Sequence, residues 1–351
     1  MKLHRWLGLG CGLVFFVVCL SGSILLFEDG LSNFLDRSLI RETNRPVSLD
    51  LLRASAETQL REGEWIQRIY LPPGKVRVRG TEEMRHLYFS PEDATYLGEG
   101  NGFTRSVIKF HRSLFLSDFG RWITLTSCLF VITTLLSGVK LWMPNKWKRL
   151  GSALTIKRTG SRRRFLLDLH RVLGIFVVLP LLLIASTGLN YSMISDSLRQ
   201  ALFTTLGEEP MPAPRAVEPS ENAPLPLDRL VELAVDVYPE AELSCVELSK
   251  SPEESVKVRF RHPGQPGEFG QSNVMLHPRT GEVLRSLNAM ELPAGQQFVY
   301  VWALPLHRGE AFGLLQTSLW FLVVLIGAGL PLTGAWLWYS KRPRDKKNDL
   351  S

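Results

Sequence analysis

The stretch His4-Arg5-Trp6-Leu7-Gly8-Leu9 opens an apolar run that carries no charge from Trp6 to Phe27. A shift of 166 residues lays it on His170-Arg171-Val172-Leu173-Gly174, the start of a second uncharged run, Val172 to Leu189, and brings Gly22 onto Gly188. Two further runs, Trp122 to Met143 and Ala311 to Tyr339, are related by a shift of 196, which lays His111-Arg112 on His307-Arg308, Gly138 on Gly334 and Leu141-Trp142 on Leu337-Trp338. All four reach or approach the length, about 20 residues, that crosses a bilayer as a helix. Lys140, the only charge in the run from Trp122, lies near its end, where it can snorkel. Pro180 and Pro331 predict kinks rather than breaks. The first run is long for a cleaved signal peptide and recurs later without that role, so it reads as a helix.

Each half of the duplication reads helix, outer domain, helix, and duplicated membrane halves commonly enclose a site at their interface. The expected architecture is an α-helical membrane protein: a four-helix transmembrane bundle from an internal repeat, with two α+β periplasmic modules. The expected boundaries are 1–27, 111–143, 170–193 and 307–340 for the spans and 28–110 and 194–306 for the modules. A basic loop at 144–169 and a tail at 341–351 complete the chain.

Charge orients this arrangement. Lys140 to Arg171 contains ten Lys/Arg against one acid, Asp168, and the tail from Lys341 adds five more. Glu28 to Arg121 balances at fourteen and fourteen, and Asn190 to Glu310 has ten basic and seventeen acidic residues. By the positive-inside rule both termini and the middle loop are cytoplasmic and the long segments lie outside. The basic excess, including Arg162 to Arg164, is an orientation signal and not a nucleic-acid footprint. Cys11, Cys19 and Cys128 fall in apolar runs and only Cys245 lies outside, which builds no disulfide framework or zinc motif.

The second outer segment predicts a helix over Leu227 to Tyr238, then strands near Ser244 to Leu248, Ser255 to Arg261, Gln271 to Leu276 and Glu282 to Leu287. The first repeats the idea with a helix over Asp50 to Arg61 and strands at Trp65 to Leu71, Val76 to Val78 and His86 to Ser90. Gly207 to Pro226, with six prolines, reads as a linker.

Four of the seven histidines, His4, His111, His170 and His307, each precede an apolar run and each is followed by arginine. Because chain direction alternates, His4 and His170 belong to the cytoplasmic face and His111 and His307 to the outer face. Two imidazoles facing each other from neighbouring helices are what a low-spin b-type haem needs. Arg5, Arg112, Arg171 and Arg308 are placed to pair with propionates. The expectation is two b-type haems, His4/His170 and His111/His307 being the iron ligands. His4 to Gly22 and His170 to Gly188 each span eighteen residues, about five helical turns, so those glycines leave room for the haem at the far surface; Gly138 and Gly334 do not fit that scheme. A plain anchoring role for His-Arg explains the cytoplasmic pairs but not the outer ones, where positive charge is disfavoured. His86, His262 and His277 read as surface residues of the outer modules, and Trp142 and Trp338 as interfacial belt residues. Tyr300, Trp302 and Arg112 are substrate-contact candidates from position alone.

These residues resemble the PepSY-associated transmembrane proteins, or iron-regulated membrane proteins, which include bacterial ferric-siderophore reductases of the FoxB type. The resemblance covers nearly the whole chain. It rests on His4 to Leu9, His170 to Gly174, Ser137-Gly138 through Trp142, Thr333-Gly334 through Trp338, and the turn Pro278-Arg279-Thr280-Gly281-Glu282-Val283-Leu284, similar to the end of a PepSY module. Pro91 to Gly98 is a poorer match, lacking glycine directly after Thr95. The resemblance implies two haems and reduction of a ferric siderophore at the outer face, releasing weakly held Fe(II). The cytoplasmic segments are too short for a flavin or nicotinamide domain, so electrons would come from a cytoplasmic reductase or membrane quinol. Membrane lipid is the other implied partner, and a homodimer is left open. Two other readings stand beside this one: a non-enzymatic PepSY protein that binds or inhibits periplasmic partners, and a transporter. The latter would need more than the thin supply of Ser21, Thr126, Ser127, Thr133, Thr134, Ser137, Ser186, Thr187 and Thr333.

Overall fold

The computed structural model describes residues 2–72, 74–80, 84–158, 160–251, 253–267 and 269–340, in two compact units. The tail expected at 341–351 lies outside the described residues. In chain order the helices are α1 (Lys2–Leu25), α2 (Glu28–Leu35), α3 (Leu49–Glu57), α4 (Phe103–Ser113), α5 (Ser117–Trp142), α6 (Leu150–Ala153), α7 (Arg162–Leu189), α8 (Ser195–Leu206), α9 (Leu227–Val235), α10 (Ala294–Gln297), α11 (Ala303–Arg308) and α12 (Gly313–Tyr339). The strands are β1 (Trp65–Tyr70), β2 (Lys75–Arg79), β3 (Met84–Phe89), β4 (Tyr96–Glu99), β5 (Glu242–Glu247), β6 (Val256–Arg261), β7 (Ser272–Leu276) and β8 (Val283–Leu287).

One unit is built from α1, α5, α7 and α12, each long and apolar enough to cross a membrane. They pack as a ring, α1 on α5 and α12, α7 on α5 and α12. Val177, Leu181 and Val323 form a buried layer within it, with Phe15, Leu135, Ile184, Ile326 and Leu330 packed against them. The helices run through Pro180 and Pro331, and the Pro331 ring lies against Gly12, where an added Cβ would stand 3.1 Å from it.

The spans differ from expectation at their starts. α7 begins at Arg162, its first turn capped by the Ser161 hydroxyl, so His170 lies two turns inside the helix. His111 and His307 instead end the short helices α4 and α11, with the spans restarting at Ser117 and Gly313. Leu114, Phe115 and Ser117 adopt φ of 51°, 61° and 50°, and Gly309 and Gly313 adopt 73° and 68°. Such left-handed residues end a helix, and side chains from the spans tie down the broken ends. The Thr124 hydroxyl donates to Arg112 O (2.9 Å), and Trp320 Nε1 donates to Leu306 O (2.8 Å). Trp142 is buried, its Nε1 donating to Ala153 O at 3.3 Å.

The second unit comprises residues 28–104 and 199–305. Its expected helices and strands are present, with β4 added, but they form one structure: a single antiparallel sheet in the order β4-β3-β2-β1-β5-β6-β7-β8. The halves join where β1 pairs with β5, through Arg68↔Glu247, Ile69↔Val246 and Tyr70↔Cys245. Alternation puts Val76, Val78, Leu87, Phe89, Val246, Val258, Phe260, Val274 and Leu276 on one face, where α3 and α9 cover them in a common core with Leu52 and Leu230. The two helices also cap each other. Asp50 carboxylate oxygens accept from Leu227 N (2.9 Å) and Asp228 N (3.4 Å), and Asp228 accepts from Leu49 N (3.0 Å) and Asp50 N (3.4 Å). Each thereby satisfies orphan donors of the other helix's first turn. Residues 207–226 contain no regular element, as expected, yet are tied down. Glu208 accepts from Gly295 N (2.6 Å) and Gln296 N (3.0 Å) at the start of α10.

His262 and His277, expected at the surface, are buried. His277 Nδ1 accepts from Arg279 N (3.1 Å) and Thr280 N (3.3 Å) while Nε2 donates to Glu218 O (2.7 Å), so the ring organises the 278–281 turn. His262 packs on Tyr238 with ring centres 5.0 Å apart.

Candidate functional site

The four repeat-related histidines come together as two pairs. His4 and His170 have ring centres 6.3 Å apart with planes at 87°, and His111 and His307 have centres 6.3 Å apart at 65°. The pairs sit near opposite ends of the bundle. Gly22 of α1 contacts His111, and it follows His4 on the same helix by eighteen residues, an axial rise of about 27 Å.

Each imidazole is anchored in the same way on a neighbouring span. His4 Nδ1 lies 3.0 Å from Thr134 O and 3.2 Å from Ser137 Oγ. His111 Nδ1 lies 3.1 Å from Val18 O and 3.0 Å from Ser21 Oγ. His307 Nδ1 lies 2.9 Å from Ile184 O and 3.3 Å from Thr187 Oγ1. His170 Nδ1 lies 2.8 Å from Thr333 Oγ1, with the Leu330 carbonyl beside it. A carbonyl oxygen can only accept, so Nδ1 carries the proton and the neutral ring keeps its lone pair on Nε2. The hydroxyls donate back into their own helices, Ser137 to Thr134 O (3.0 Å) and Thr333 to Leu330 O (2.9 Å), which frees their oxygens to accept. Among the described residues no hydrogen bond reaches Nε2 of any of the four rings.

The residue after each hydroxyl is glycine, and it lies under the anchored ring. A Cβ at Gly188, Gly22, Gly138 or Gly334 would stand 3.1, 3.2, 3.3 or 3.6 Å from Cε1 of His307, His111, His4 or His170 respectively. This corrects the expectation that glycines serve only two of the four spans. All four lie under, and make room for, the neighbouring helix's histidine. The hydroxyl anchors were missed, although Ser21-Gly22, Ser137-Gly138, Thr187-Gly188 and Thr333-Gly334 are visible as repeated dipeptides.

Of the adjoining arginines, Arg308 Nε lies 2.5 Å from Glu310 Oε1. Arg5 lies over Trp6 at 5.1 Å, and among the described residues neither it, Arg112 nor Arg171 has a carboxylate within ion-pair reach. No cluster of three or more His, Cys, Asp or Glu suited to a metal ion occurs among the described residues. What each pair offers is two neutral nitrogen donors, able to supply two ligands to a metal whose other ligands come from elsewhere.

Four apolar spans with a large sheet unit inserted between them define a multi-span membrane protein. The model of the PepSY-associated TM region matches residues 1–341, and the chain belongs to that family. No curated protein matches the chain significantly.

Proposed function

We propose that the protein is a bacterial inner-membrane electron carrier with two b-type haems, one held by His4 and His170 and the other by His111 and His307, and that it reduces ferric siderophores at the periplasmic face. The observation that carries this is the fourfold Nδ1 anchor. It fixes the tautomer that ligates iron through Nε2, and a hydrogen-bonded second ring nitrogen is the usual support of a metal-binding imidazole. Spacing agrees with it. The ring centres of each pair lie 6.3 Å apart, close enough for both imidazoles to ligate one metal ion. Aromatic contacts also occur at this distance, but they do not require every Nδ1 to be anchored or every underlying residue to be glycine.

When bound, haem supplies one-electron chemistry. The protein holds the ligands rigidly, offers Arg5, Arg112 and Arg171 to propionates, and keeps the intervening layer of Phe15, Val177, Leu181 and Val323 apolar. One electron passed to a hard, oxygen-ligated Fe(III) weakens its hold without breaking the ligand. The donor is a cytoplasmic reductase or quinol, and the basic loop at 144–169 orients the chain with both termini inside.

The test is a reduced-minus-oxidised spectrum with pyridine haemochrome quantitation on the purified protein, repeated for His111→Ala and His170→Ala. Two b-type haems, one lost in each variant, are expected. A folded, haem-supplied preparation without haem would overturn the proposal and favour a non-enzymatic role for the sheet unit in binding periplasmic proteins.

A further inference from the structure

The sheet has a second face, opposite α3 and α9, rich in cations. Strand register lays out two rows on it. The first runs His86, Arg77, Arg68, Glu247, Lys257 across β3, β2, β1, β5 and β6. The second joins Tyr88 and Lys75, and Tyr70, Cys245 and Arg259, with Lys75 Nζ over the Tyr70 ring. Arg68 and Arg77 face each other directly across β1 and β2, and like charges so placed destabilise a sheet.

Charge on this face is not balanced. Glu247 accepts from Arg68 and lies 3.1 Å from Arg259 Nη1 and 3.4 Å from Lys257 Nζ. That leaves Arg77 with His86 Nε2 at 3.3 Å and no carboxylate in reach among the described residues. Glu28, Asp29 and Asp36 act on Lys75 from α2 and the segment after it. Aromatic rings also lie between the cations. Tyr70 has Arg68, Lys75 and Arg77 at 5.7, 5.3 and 5.4 Å, and Phe269 has Arg68 and Arg259 at 4.6 and 5.1 Å. The Nε atoms of Arg68 and Arg259 are buried without an acceptor. Burial, reinforced by Arg68, also pulls the Arg77 guanidinium below its ordinary range. Guanidinium groups that repel across strands and keep buried donors unused match a ligand that brings oxygen acceptors and negative charge.

We propose that this face binds a soluble, anionic, oxygen-rich metal chelate of the carboxylate or catecholate kind, gripped by Arg77, Arg68 and Arg259 around Tyr70 and Phe269. That the anion is a metal chelate rests on the reductase reading; that the face takes an anion does not.

The probe is gallium(III) citrate, which is redox-inert, titrated calorimetrically into the full-length protein in neutral detergent, with a cationic gallium(III) trihydroxamate as control. Saturable binding of the citrate complex, weakened by salt and not shared by the control, is expected. Arg77→Gln should weaken it by about tenfold or more, the share of one charged hydrogen bond, with partial recovery in Arg77→Lys. The ligand-free melting temperature of Arg77→Gln should hold or rise as repulsion is relieved. Arg259→Gln is the second variant should Arg77→Gln not fold. Absence of binding, equal binding of the cationic chelate, or unchanged affinity in a folded variant would overturn the site. Haem is counted on the same sample: binding without haem removes only the reductase reading, and haem without binding removes only this site.

Discussion

Replacing Gly188 with alanine would put a Cβ 3.1 Å from Cε1 of His307, whereas at Gly334 the same atom would stand 3.6 Å from His170. Gly334 lies inside α12, where alanine is favoured over glycine by about 1 kcal/mol, whereas Gly188 is the next-to-last residue of α7, where that gain is small. At Gly334 the new methyl meets ordinary van der Waals contact, so Gly334→Ala should stabilise the bundle by up to about 1 kcal/mol. At Gly188 the imidazole must retreat by a few tenths of an ångström while Nδ1 is held at 2.9 Å from Ile184 O. Overpacking of that kind costs about 1–3 kcal/mol, and with little helix gain at the end of α7 the net loss is about 1–3 kcal/mol. Gly22→Ala and Gly138→Ala, at 3.2 and 3.3 Å, should fall between. Thermal unfolding in one detergent, read by tryptophan fluorescence, gives the ranking, and the haem spectrum of each variant reports whether its histidine pair survives. Valine at Gly188 should remove the outer haem alone. Equal shifts for Gly188→Ala and Gly334→Ala, or a two-haem spectrum in Gly188→Val, would refute the idea that the glycines exist to seat the histidines.

The sheet unit supplies three further tests. Asp50→Ala removes the acceptor for Leu227 N and Asp228 N and should cost about 0.5–2 kcal/mol, with Asp50→Asn recovering part, by chemical denaturation. Arg85→Ala strands the Glu64 carboxylate, which Arg85 holds through Nε (2.8 Å) and Nη2 (2.6 Å), and should cost about 3–5 kcal/mol by the same measurement. The Arg85 hydrogen bond also depresses the Glu64 carboxyl below the usual carboxylate range. Its stabilisation is therefore complete above about pH 4.3, the unfolded value, and is lost as pH falls through the lower folded value. Melting temperatures followed from pH 6 to pH 3 should show this acid limb, and Glu64→Gln should flatten it.

The spans and the histidine pairing were legible because membrane helices announce themselves by length and because the duplication repeats each histidine. His111 looked like the start of a span because the φ of 51° at Leu114 and 61° at Phe115 is adopted by residues with no sequence preference for it. After His307 the break was marked, by Gly309 and Gly313, but a lone glycine beside an apolar run reads equally well as part of the span. The hydroxyl anchors went unread because Ser21 and Thr187 follow ordinary helical spacing, and only three dimensions reveal which neighbour's ring they meet. Pairing of β1 with β5 was invisible for another reason. Alternation in Trp65 to Tyr70 says which face is buried but not which strand lies alongside. His277 was misplaced because a histidine in a polar segment reads as exposed until the backbone donors it satisfies are known, and His262 because its packing on Tyr238 is a tertiary contact.

That β1–β5 seam has a consequence in time. Tyr70 and Glu247 are separated by 177 residues, which include α5 and α7. At a synthesis rate of about 5–20 residues per second, the edge of β1 waits roughly 9–35 s for its partner strand. During that interval it is an open template for another nascent chain, and Arg68, at the centre of the exposed edge, together with the register shift between Ile66 and Arg68, is the kind of charge and irregularity that discourages such pairing. An arginine that is awkward in the finished sheet thus protects the half-made one.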